Sequence, residues 1–292
     1  MSSEIRNVVI VGSGVMGSGI AQAVAIKGFN VTVVDLNEQL IQKAKNYIEK
    51  ILNRVGRRKF NDDQMKIEEF VRTSMTRVSV TTNLLEAVKD ADLVIEAIVE
   101  NLVSKQKMFE SIDSVAKASA IFASNTSSIP ISFIAKNSKR LDRFCGLHFF
   151  NPVAMMDLIE VIRIPETSEA TYQSVMAFGK SLGKTCVTCK DTPGFIVNRL
   201  LSPFINEALK MLEEDVATKE DIDAAVKLGA GHPMGPFELC DLVGLDVIHN
   251  ARKFYHEQFP DIPSFAPNAL VDKMVKEGKL GVKSGEGFYN YK

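Results

Sequence analysis

The segment Asn7–Asp35 constrains the fold of this chain more than any other part of its sequence. An apolar run, Val8–Val11, has the length of a buried parallel strand, and Gly12, Gly14 and Gly17 follow it at G-x-G-x-x-G spacing. A helical segment comes next, and a second apolar run ends in the aspartate that closes the segment. This succession predicts a dinucleotide-binding βαβ unit. Its glycines allow a tight turn, close approach of the backbone to a pyrophosphate, and packing of the helix on the strand.

The position of Asp35 agrees with this prediction. It lies 18 residues after Gly17, near the distance at which a carboxylate meets the 2′-hydroxyl of the adenine ribose. The helix that the glycines open presents unpaired N–H groups and the positive end of its dipole, which is where a pyrophosphate binds. The alternative is a glycine-rich turn in an α/β unit that binds no nucleotide.

The composition excludes several classes of protein. A length of 292 residues suits two domains, and a net charge of −1 argues against a nucleic-acid-binding protein. The chain has no run of 18 uncharged apolar residues, so we expect no membrane span. The first residues lead almost at once into the first strand, so we expect no signal or transit peptide.

Four cysteines in a chain of this length do not predict a disulfide framework, and we expect a reducing compartment. Cys186 and Cys189 form a C-x-x-C motif, but the surrounding segment 184–190 is typical of a strand, whereas a redox motif has its cysteines at a helix N-terminus. A zinc site would need a second ligand pair, and none has suitable spacing. We therefore expect a structural role for these cysteines and no metal site.

Strand-like runs then alternate with helical segments. The runs are Val78–Thr81, Leu93–Ala97, Ile121–Asn125, Phe144–Phe149, Leu158–Ile164 and Cys186–Cys189. This alternation predicts an α/β fold with a parallel, doubly wound sheet. Ligands of such sheets bind at the carboxyl ends of the strands. We therefore expect one edge of the sheet to carry four residues: Gly12, Glu100, Asn125 and His148.

The pattern changes at Pro193 and Gly194, and only helical segments follow, to about Lys279. We therefore predict a sheet domain, residues 1–190, and a smaller all-helical domain, residues 191–292. Asn198 lies on the first helix of the second domain. From the sequence alone, it is interpreted as a capping or interdomain contact.

His148 is one of four histidines, and a turn at Asn151–Pro152 separates it from a strand that contains Glu160. If the two strands form a hairpin centred near Ala154, positions whose numbers sum to 308 pair, and His148 faces Glu160. A carboxylate beside an imidazole orients it and stabilises its protonated form, which produces a general base. The alternative is a histidine of the core with satisfied hydrogen bonds.

Two further polar stretches each have two interpretations. The hydroxyls of Ser124–Ser128 lie at the expected cofactor edge, but serine, threonine and asparagine also form turns and cap helices. The basic stretch Lys50–Lys59 ends a long helical segment and is best interpreted as a solvated helix face. The alternative is a patch that holds an anionic part of the substrate, such as a nucleotide phosphate.

Taken together, the motifs identify a family. The chain resembles the short-chain L-3-hydroxyacyl-CoA dehydrogenases of fatty-acid β-oxidation over nearly its whole length, in GSGVMGSGIAQ, VIEAIVEN, SNTSS, GLHFFNP, DTPGFIVNR, GHPMGPFEL and GEGFY. The resemblance implies a Rossmann-like domain that binds NAD and a helical domain for substrate binding and dimerisation. It also implies NAD-dependent oxidation of (S)-3-hydroxyacyl-CoA to 3-oxoacyl-CoA by a homodimer. The resemblance favours a location in the mitochondrial matrix, and the cytoplasm is the alternative location.

The resemblance also implies roles for individual residues. His148 matches the catalytic base and Glu160 its partner, while Ser127 and Asn198 match hydrogen-bonding groups at the substrate oxygen. The positions that match NAD contacts are Asp35, Glu100, Lys105, Asn151 and Lys283, and the nicotinamide is expected near Asn125 and His148.

At the coenzyme A site, Arg58 stands where the family often has a lysine. Ile51 replaces a serine that contacts coenzyme A in some members. Two other functions stay open: oxidation of a different 3-hydroxy acid, and a non-catalytic NAD-binding protein descended from the enzyme.

Overall fold

The computed structural model describes residues 5–291. The chain forms two compact units, one up to Phe195 and one from Ile196 onward. The first unit is an α/β structure and the second is helical. The functions predicted for the two domains stay predictions.

A single sheet organises the first unit. Its strands, β1 to β8 in chain order, are Asn7–Val11, Asn30–Val34, Val78–Thr81, Leu93–Glu96, Ile121–Ser124, Phe144–Phe149, Leu158–Arg163 and Thr185–Lys190. They lie in the order β3-β2-β1-β4-β5-β6-β7-β8. The strands from β3 to β6 in this order are parallel to their neighbours, which confirms the predicted doubly wound sheet. β7 runs antiparallel to β6, and β8 is parallel to β7, so the β6–β7 hairpin reverses the direction of the last two strands.

The central strands are mostly apolar because helices cover both faces of a parallel sheet. All residues of β4, β5 and β6 are buried, and so are four of the five in β1. β8 lies at one edge of the sheet, and its residues are half-buried or exposed. Cys186 and Cys189 lie on this strand, as predicted, and their thiols are free. Burial raises the pKa of Cys189 to about 12, which opposes formation of a reactive thiolate.

Seven helices of the first unit, α1 to α7, are Val15–Ile26, Glu38–Phe60, Gln64–Met75, Leu84–Ala87, Leu102–Asp113, Ile131–Ala135 and Glu169–Ser181. The helix α3 was not predicted from the sequence. Asn61 and Asp62, both with positive φ, end α2, and Asp63 then caps α3 by accepting a hydrogen bond from the amide of Lys66 at 3.3 Å. No helix within residues 5–291 is both long and apolar enough to cross a membrane.

The second unit consists of five α-helices within its described residues. These helices, α8 to α12, are Val197–Glu213, Lys219–Gly229, Pro236–Val243, Leu245–Gln258 and Ala269–Lys276. Their buried apolar residues, among them Leu209, Phe237 and Leu245, form a core of their own. Thr218 caps α9 by accepting a hydrogen bond from the amide of Asp221 at 3.1 Å.

Two buried aspartates fix the end of the chain to this core. Asp241 accepts hydrogen bonds from the amides of Phe288 and Tyr289, both at 2.8 Å. Asp223 accepts one from the hydroxyl of Tyr289 at 2.7 Å. A Cβ atom at Gly287 would lie 2.0 Å from Oδ1 of Asp241, so only glycine fits there. The GEGFY motif is therefore explained by packing.

Candidate active site

The glycines between β1 and α1 have different structural requirements. Gly12 has a φ of 102°, and a Cβ there would lie 2.4 Å from the carbonyl oxygen of Ala97. A Cβ at Gly17 would lie 1.8 Å from the carbonyl oxygen of Gly12. At Gly14, by contrast, no described atom lies within 4 Å of the Cβ position. Packing therefore requires the first and last glycines, whereas Gly14 leaves open surface at the start of α1.

Asp35 is held against this glycine turn. Its Oδ2 accepts hydrogen bonds from the amide of Ser13 at 2.7 Å and from the Ser13 hydroxyl at 2.5 Å. Its Oδ1 accepts one from the amide of Leu36 at 2.7 Å. The carboxylate at the end of β2 therefore lies beside the turn, in the arrangement that dinucleotide-binding units use for the ribose.

A second carboxylate, Glu100, organises the loop that follows β5. Its Oε1 accepts hydrogen bonds from the hydroxyls of Thr126 at 2.5 Å and Ser128 at 2.7 Å. The amides of Ser127 and Ser128 donate to the same oxygen at 3.3 and 3.2 Å. The loop 126–128 and the segment after β4 therefore meet at one edge of the sheet, as predicted.

Lys105 lies beneath this loop. Its side chain is 1% exposed, and its Nζ lies 2.6 Å from Oε1 of Glu96 and 3.0 Å from Oε2 of Glu100. Burial raises the pKa of Glu100, but the charge of Lys105 and the hydrogen bonds from Thr126 and Ser128 outweigh burial, so this pKa lies below its usual value. For Glu96 burial prevails, and its pKa is raised despite the charge of Lys105.

Glu96 was not singled out from the sequence. The signal in the sequence that could have identified Glu96 is its position at the end of the apolar run that begins at Leu93. A carboxylate that is buried in such a place needs a partner.

The predicted pairing of His148 with Glu160 is confirmed. The two residues are direct partners in the β6–β7 register, and Nδ1 of His148 lies 2.7 Å from Oε2 of Glu160. Their side chains are 7% and 0% exposed. Because an ionised carboxylate only accepts hydrogen bonds, we assign the proton of the neutral imidazole to Nδ1, which leaves Nε2 as the basic nitrogen. The rings of Phe150 and Phe195 lie 4.5 and 5.8 Å from the imidazole, centre to centre.

Asn125 links the loop after β5 to the strand that carries the histidine. Its Oδ1 accepts a hydrogen bond from the amide of Phe149, the residue after His148, at 2.9 Å. The loops and strand ends that were predicted to converge are therefore joined by hydrogen bonds along the carboxyl ends of β4, β5 and β6.

The family of the chain follows from its similarity to known proteins. Residues 7–192 match the family model of the 3-hydroxyacyl-CoA dehydrogenase NAD-binding domain, and residues 194–291 match that of the 3-hydroxyacyl-CoA dehydrogenase C-terminal domain. The chain belongs to the 3-hydroxyacyl-CoA dehydrogenase family. It is an NAD-dependent oxidoreductase of that family.

Its similarity to individual family members extends over whole chains. The mitochondrial hydroxyacyl-coenzyme A dehydrogenase of Rattus norvegicus is 50% identical over 99% of this chain and 92% of its own length. The corresponding Homo sapiens protein is 48% identical, with the same coverage. The crystal structure of (S)-3-hydroxybutyryl-CoA dehydrogenase from Ralstonia eutropha has a TM-score of 0.91 and 42% identity, and the match covers 99% of this chain and 100% of that one.

The residues at the glycine turn of this chain fit a dinucleotide. At Gly14 the space that a Cβ would take is open. No side chain of the described residues caps α1 at that point, and its first turn contains no acidic residue. Backbone N–H groups at such a helix start are free to bind a pyrophosphate, while Asp35 is held where it can accept a hydrogen bond from a ribose.

A groove of about 370 Å³ lies beside the start of α1. Its lining residues are Val15, Gly19, Tyr47, Ile51, Arg54, Val55, Arg58, Lys59 and 151–155. Among residues 5–291, neither Arg54 nor Arg58 forms an ion pair. The groove brings Arg58 close to Asn151, an arrangement that was not predicted from the sequence.

Two of the predicted site residues belong to the second unit. Asn198 lies in the first turn of α8. Lys283 lies in a 3₁₀ turn, Val282–Ser284, and forms an ion pair with Asp246 at the start of α11. The functions predicted for both side chains stay predictions.

Proposed function

We propose that this chain oxidises (S)-3-hydroxyacyl-CoA to 3-oxoacyl-CoA with NAD in fatty-acid β-oxidation. The observation that carries the proposal is the contact of Nδ1 of His148 with a fully buried carboxylate, Glu160, at the sheet edge that also carries the glycine turn. A core histidine needs only a hydrogen-bond partner. This one has a buried charge as its partner and lies among residues that the family uses.

In the proposed mechanism, Nε2 of His148 accepts the proton of the substrate hydroxyl. Glu160 stabilises the imidazolium that forms, and it does so strongly because burial removes the screening effect of water. When bound, NAD supplies the oxidising chemistry by accepting a hydride from the carbon that carries the hydroxyl. The phenylalanine rings beside the imidazole limit the access of water to it.

Two hydrogen-bonding groups position the substrate oxygen in this proposal. Ser127 belongs to the loop that Glu100 fixes, and its amide is one of the donors to that carboxylate. Asn198 is the second group, from the helical unit. Positioning of this kind lowers the entropy cost of reaching the transition state.

The proposed NAD contacts are divided between the glycine turn and other segments. Gly12, Gly14 and Gly17 form the pyrophosphate site, and Asp35 accepts a hydrogen bond from the ribose. The further proposed contacts are Glu100, Lys105, Asn125, Asn151 and Lys283.

The groove next to Arg58 is the proposed site for the phosphates of coenzyme A. Arg54 and Arg58 contribute positive charge that no described carboxylate neutralises, and a phosphate is a suitable partner for a guanidinium. Ile51, which lines the same groove, offers no hydroxyl where some family members have a serine. The competing interpretation, a solvated helix face, predicts no effect of these residues on substrate binding.

We further propose that the protein is a homodimer of the mitochondrial matrix. In the second unit, Leu200, Leu228 and Leu242 are largely exposed, which supports burial of an apolar surface against a second copy. The matrix location is supported by the rat and human relatives, which are named as mitochondrial.

The test is formation of NADH from (S)-3-hydroxybutyryl-CoA and NAD, followed by absorbance. We expect turnover with the thioester and little with free 3-hydroxybutyrate. Activity on the free acid alone would indicate a dehydrogenase for another 3-hydroxy acid. Binding of NAD without turnover of either compound would indicate a non-catalytic NAD-binding protein.

A further inference from the structure

We propose that Glu96 is a positioning residue for the reaction, because its buried carboxylate holds Ser124, at the start of the segment that carries Ser127. The same carboxylate holds Lys105, which pairs with Glu100, an acceptor of hydrogen bonds from that segment. The inference rests on the proposed function, since it takes the loop 126–128 and His148 as the reaction site. Glu96 lies within the VIEAIVEN motif. It is neither one of the proposed catalytic residues nor one of the proposed NAD contacts.

Three donors from three separate segments converge on this carboxylate. Nζ of Lys105 lies 2.6 Å from Oε1, and the amide of Ile98 donates to the same oxygen at 2.8 Å. The hydroxyl of Ser124 donates to Oε2 at 2.5 Å. All three groups are placed to donate, so both oxygens of the carboxylate act as acceptors.

The location of Glu96 makes these contacts obligatory. Its side chain is 0% exposed at the end of β4, in the middle of the sheet. Removal of a carboxylate from water is unfavourable, and a well-placed cation together with additional hydrogen bonds can offset this cost. Because Lys105 is itself buried, neither group has water as an alternative partner. The pair therefore permits only one arrangement of the segments that meet there.

Two routes lead from Glu96 to the loop. On the direct route, the hydroxyl of Ser124 accepts a hydrogen bond from the amide of Thr126 at 3.2 Å while it donates to Glu96. On the other route, Lys105 pairs with Glu100, whose Oε1 accepts the loop hydroxyls and amides. Loss of the Glu96 carboxylate therefore removes the direct route to the loop. The other route then depends on Glu100 alone.

The experiment compares Glu96→Gln with Asp92→Asn in the full-length protein. Asp92 precedes the same strand at its opposite end, where it accepts hydrogen bonds from the amides of Arg6 and Asn7 and pairs with Lys117 at 2.5 Å. Each variant removes one hydrogen-bonded carboxylate at an end of β4. Of the two carboxylates, only that of Glu96 is linked to the loop 126–128 within residues 5–291. The measurements are kcat, KM for both substrates, thermal stability, and hydrogen–deuterium exchange of the amides at 126–128.

We expect Glu96→Gln to accelerate exchange at 126–128 and to lower kcat about tenfold, since a displacement of about 1 Å at a reacting group can cost up to 10²-fold. Asp92→Asn should lower the melting temperature and leave the loop exchange and kcat as they are. If Glu96→Gln lowers only the melting temperature, the positioning role is wrong and Glu96 is purely structural.

A second variant covers the case in which Glu96→Gln does not fold. Ser124→Ala keeps the buried ion pair and removes only the direct route, so it should accelerate exchange at Thr126 and lower kcat about two- to threefold, within the range for one lost hydrogen bond. Unchanged exchange in this variant would exclude the direct route. The exchange measurement needs no substrate, so it decides the positioning role even if the protein fails to oxidise 3-hydroxyacyl-CoA.

Discussion

At the scale of single residues, the carboxylates of the first unit differ in their partners, and the partner indicates the task. Glu160 contacts an imidazole, and Glu100 contacts hydroxyls and amides of a loop. Within residues 5–291, the Asp35 carboxylate accepts hydrogen bonds from Ser13 at the glycine turn and from the amide of Leu36, and the residue is half-buried. Such a carboxylate is held in place but remains accessible, as recognition of a ribose requires.

The first prediction concerns the choice of cofactor. Asp35 repels a 2′-phosphate, and the following residues, Leu36 and Asn37, do not supply the arginine that NADP enzymes place there. We expect kcat/KM with NAD to exceed that with NADP at least tenfold, about 1.4 kcal/mol or more. Asp35→Asn should lower the ratio of kcat/KM with NAD to kcat/KM with NADP. Equal values for the wild-type protein would contradict the role of Asp35.

At the scale of elements, the C-terminal end of α2 carries several cations that are placed differently. Arg58 lines the groove beside the start of α1, whereas Arg57, its neighbour in sequence, does not. If this helix face were only solvated, substitution of either arginine would have the same effect on substrate binding.

The second prediction uses this difference. Arg58→Ala should raise KM for acyl-CoA several-fold, while Arg57→Ala, which removes the same charge from the same turn, should have a smaller effect. KM for acyl-CoA should also rise with ionic strength more than KM for NAD, because salt screens exposed charges. Equal effects of the two substitutions together with a salt-insensitive KM would show that the basic stretch is a solvated face.

A second link between elements joins the end of α5 to the segment before β6. The side chains of Asp113 and Arg140 are each 6% exposed and form an ion pair at 2.6 Å. The guanidinium also donates to the carbonyl oxygens of Lys117 and Asp113 at 2.8 and 2.5 Å and lies 4.5 Å from the centre of the Phe122 ring. This arginine therefore joins the two segments by hydrogen bonds to backbone carbonyl oxygens as well as by an ion pair.

The third prediction is the pH dependence of this link. Burial raises the pKa of Asp113, but the hydrogen bond from Lys139 and the pairing with Arg140 outweigh burial, so the pKa lies below its usual value of 3.8. The ionised carboxylate therefore contributes stability that is present above about pH 4 and is lost as the pH falls through the lowered pKa.

Asp113→Asn should accordingly reduce the free energy of unfolding of the first unit by about 3–5 kcal/mol at neutral pH, because it leaves a buried guanidinium unpaired. The loss of stability below about pH 4 should be smaller in this variant than in the wild type. Urea unfolding across pH measures both effects. Asp142→Asn removes a pair with a 51% exposed carboxylate and should change stability by no more than about 1 kcal/mol. A similarly small change in Asp113→Asn would refute this account of the link.

At the scale of the whole molecule, features set by a repeating period or by a single turn were predictable, and those set by side-chain contacts between different elements were not. The βαβ unit and the β6–β7 register follow from local periodicity and a single turn, so His148 and Glu160 could be paired by arithmetic. The ion pair of Glu96 with Lys105 joins a strand end to a helix, and no periodicity indicates it. The groove beside Arg58 likewise forms only when α2 and the turn at 151–155 come together in the fold.

The fourth prediction concerns assembly. Leu200, Leu228 and Leu242 of the second unit are largely exposed, and a second copy that covers them would remove their side chains from water, so we expect a dimer in sedimentation at micromolar concentration. Substitution of Leu228 and Leu242 by lysine should shift the equilibrium towards monomer. A wild-type protein that sediments as a monomer would contradict the proposed homodimer.

The central claim, that His148 and Glu160 act as one catalytic unit, is tested most directly by kcat in a double-mutant cycle. His148→Gln should lower kcat by about 10²–10⁴-fold, or about 3–5 kcal/mol of barrier, with the dissociation constant for NAD unchanged because the glycine turn and Asp35 are intact. Glu160→Gln, which keeps size and removes charge, should also lower kcat heavily. The double variant should be little worse than His148→Gln alone, because residues that act as a unit are not additive. Full activity in Glu160→Gln, or additive losses in the double variant, would contradict the claim.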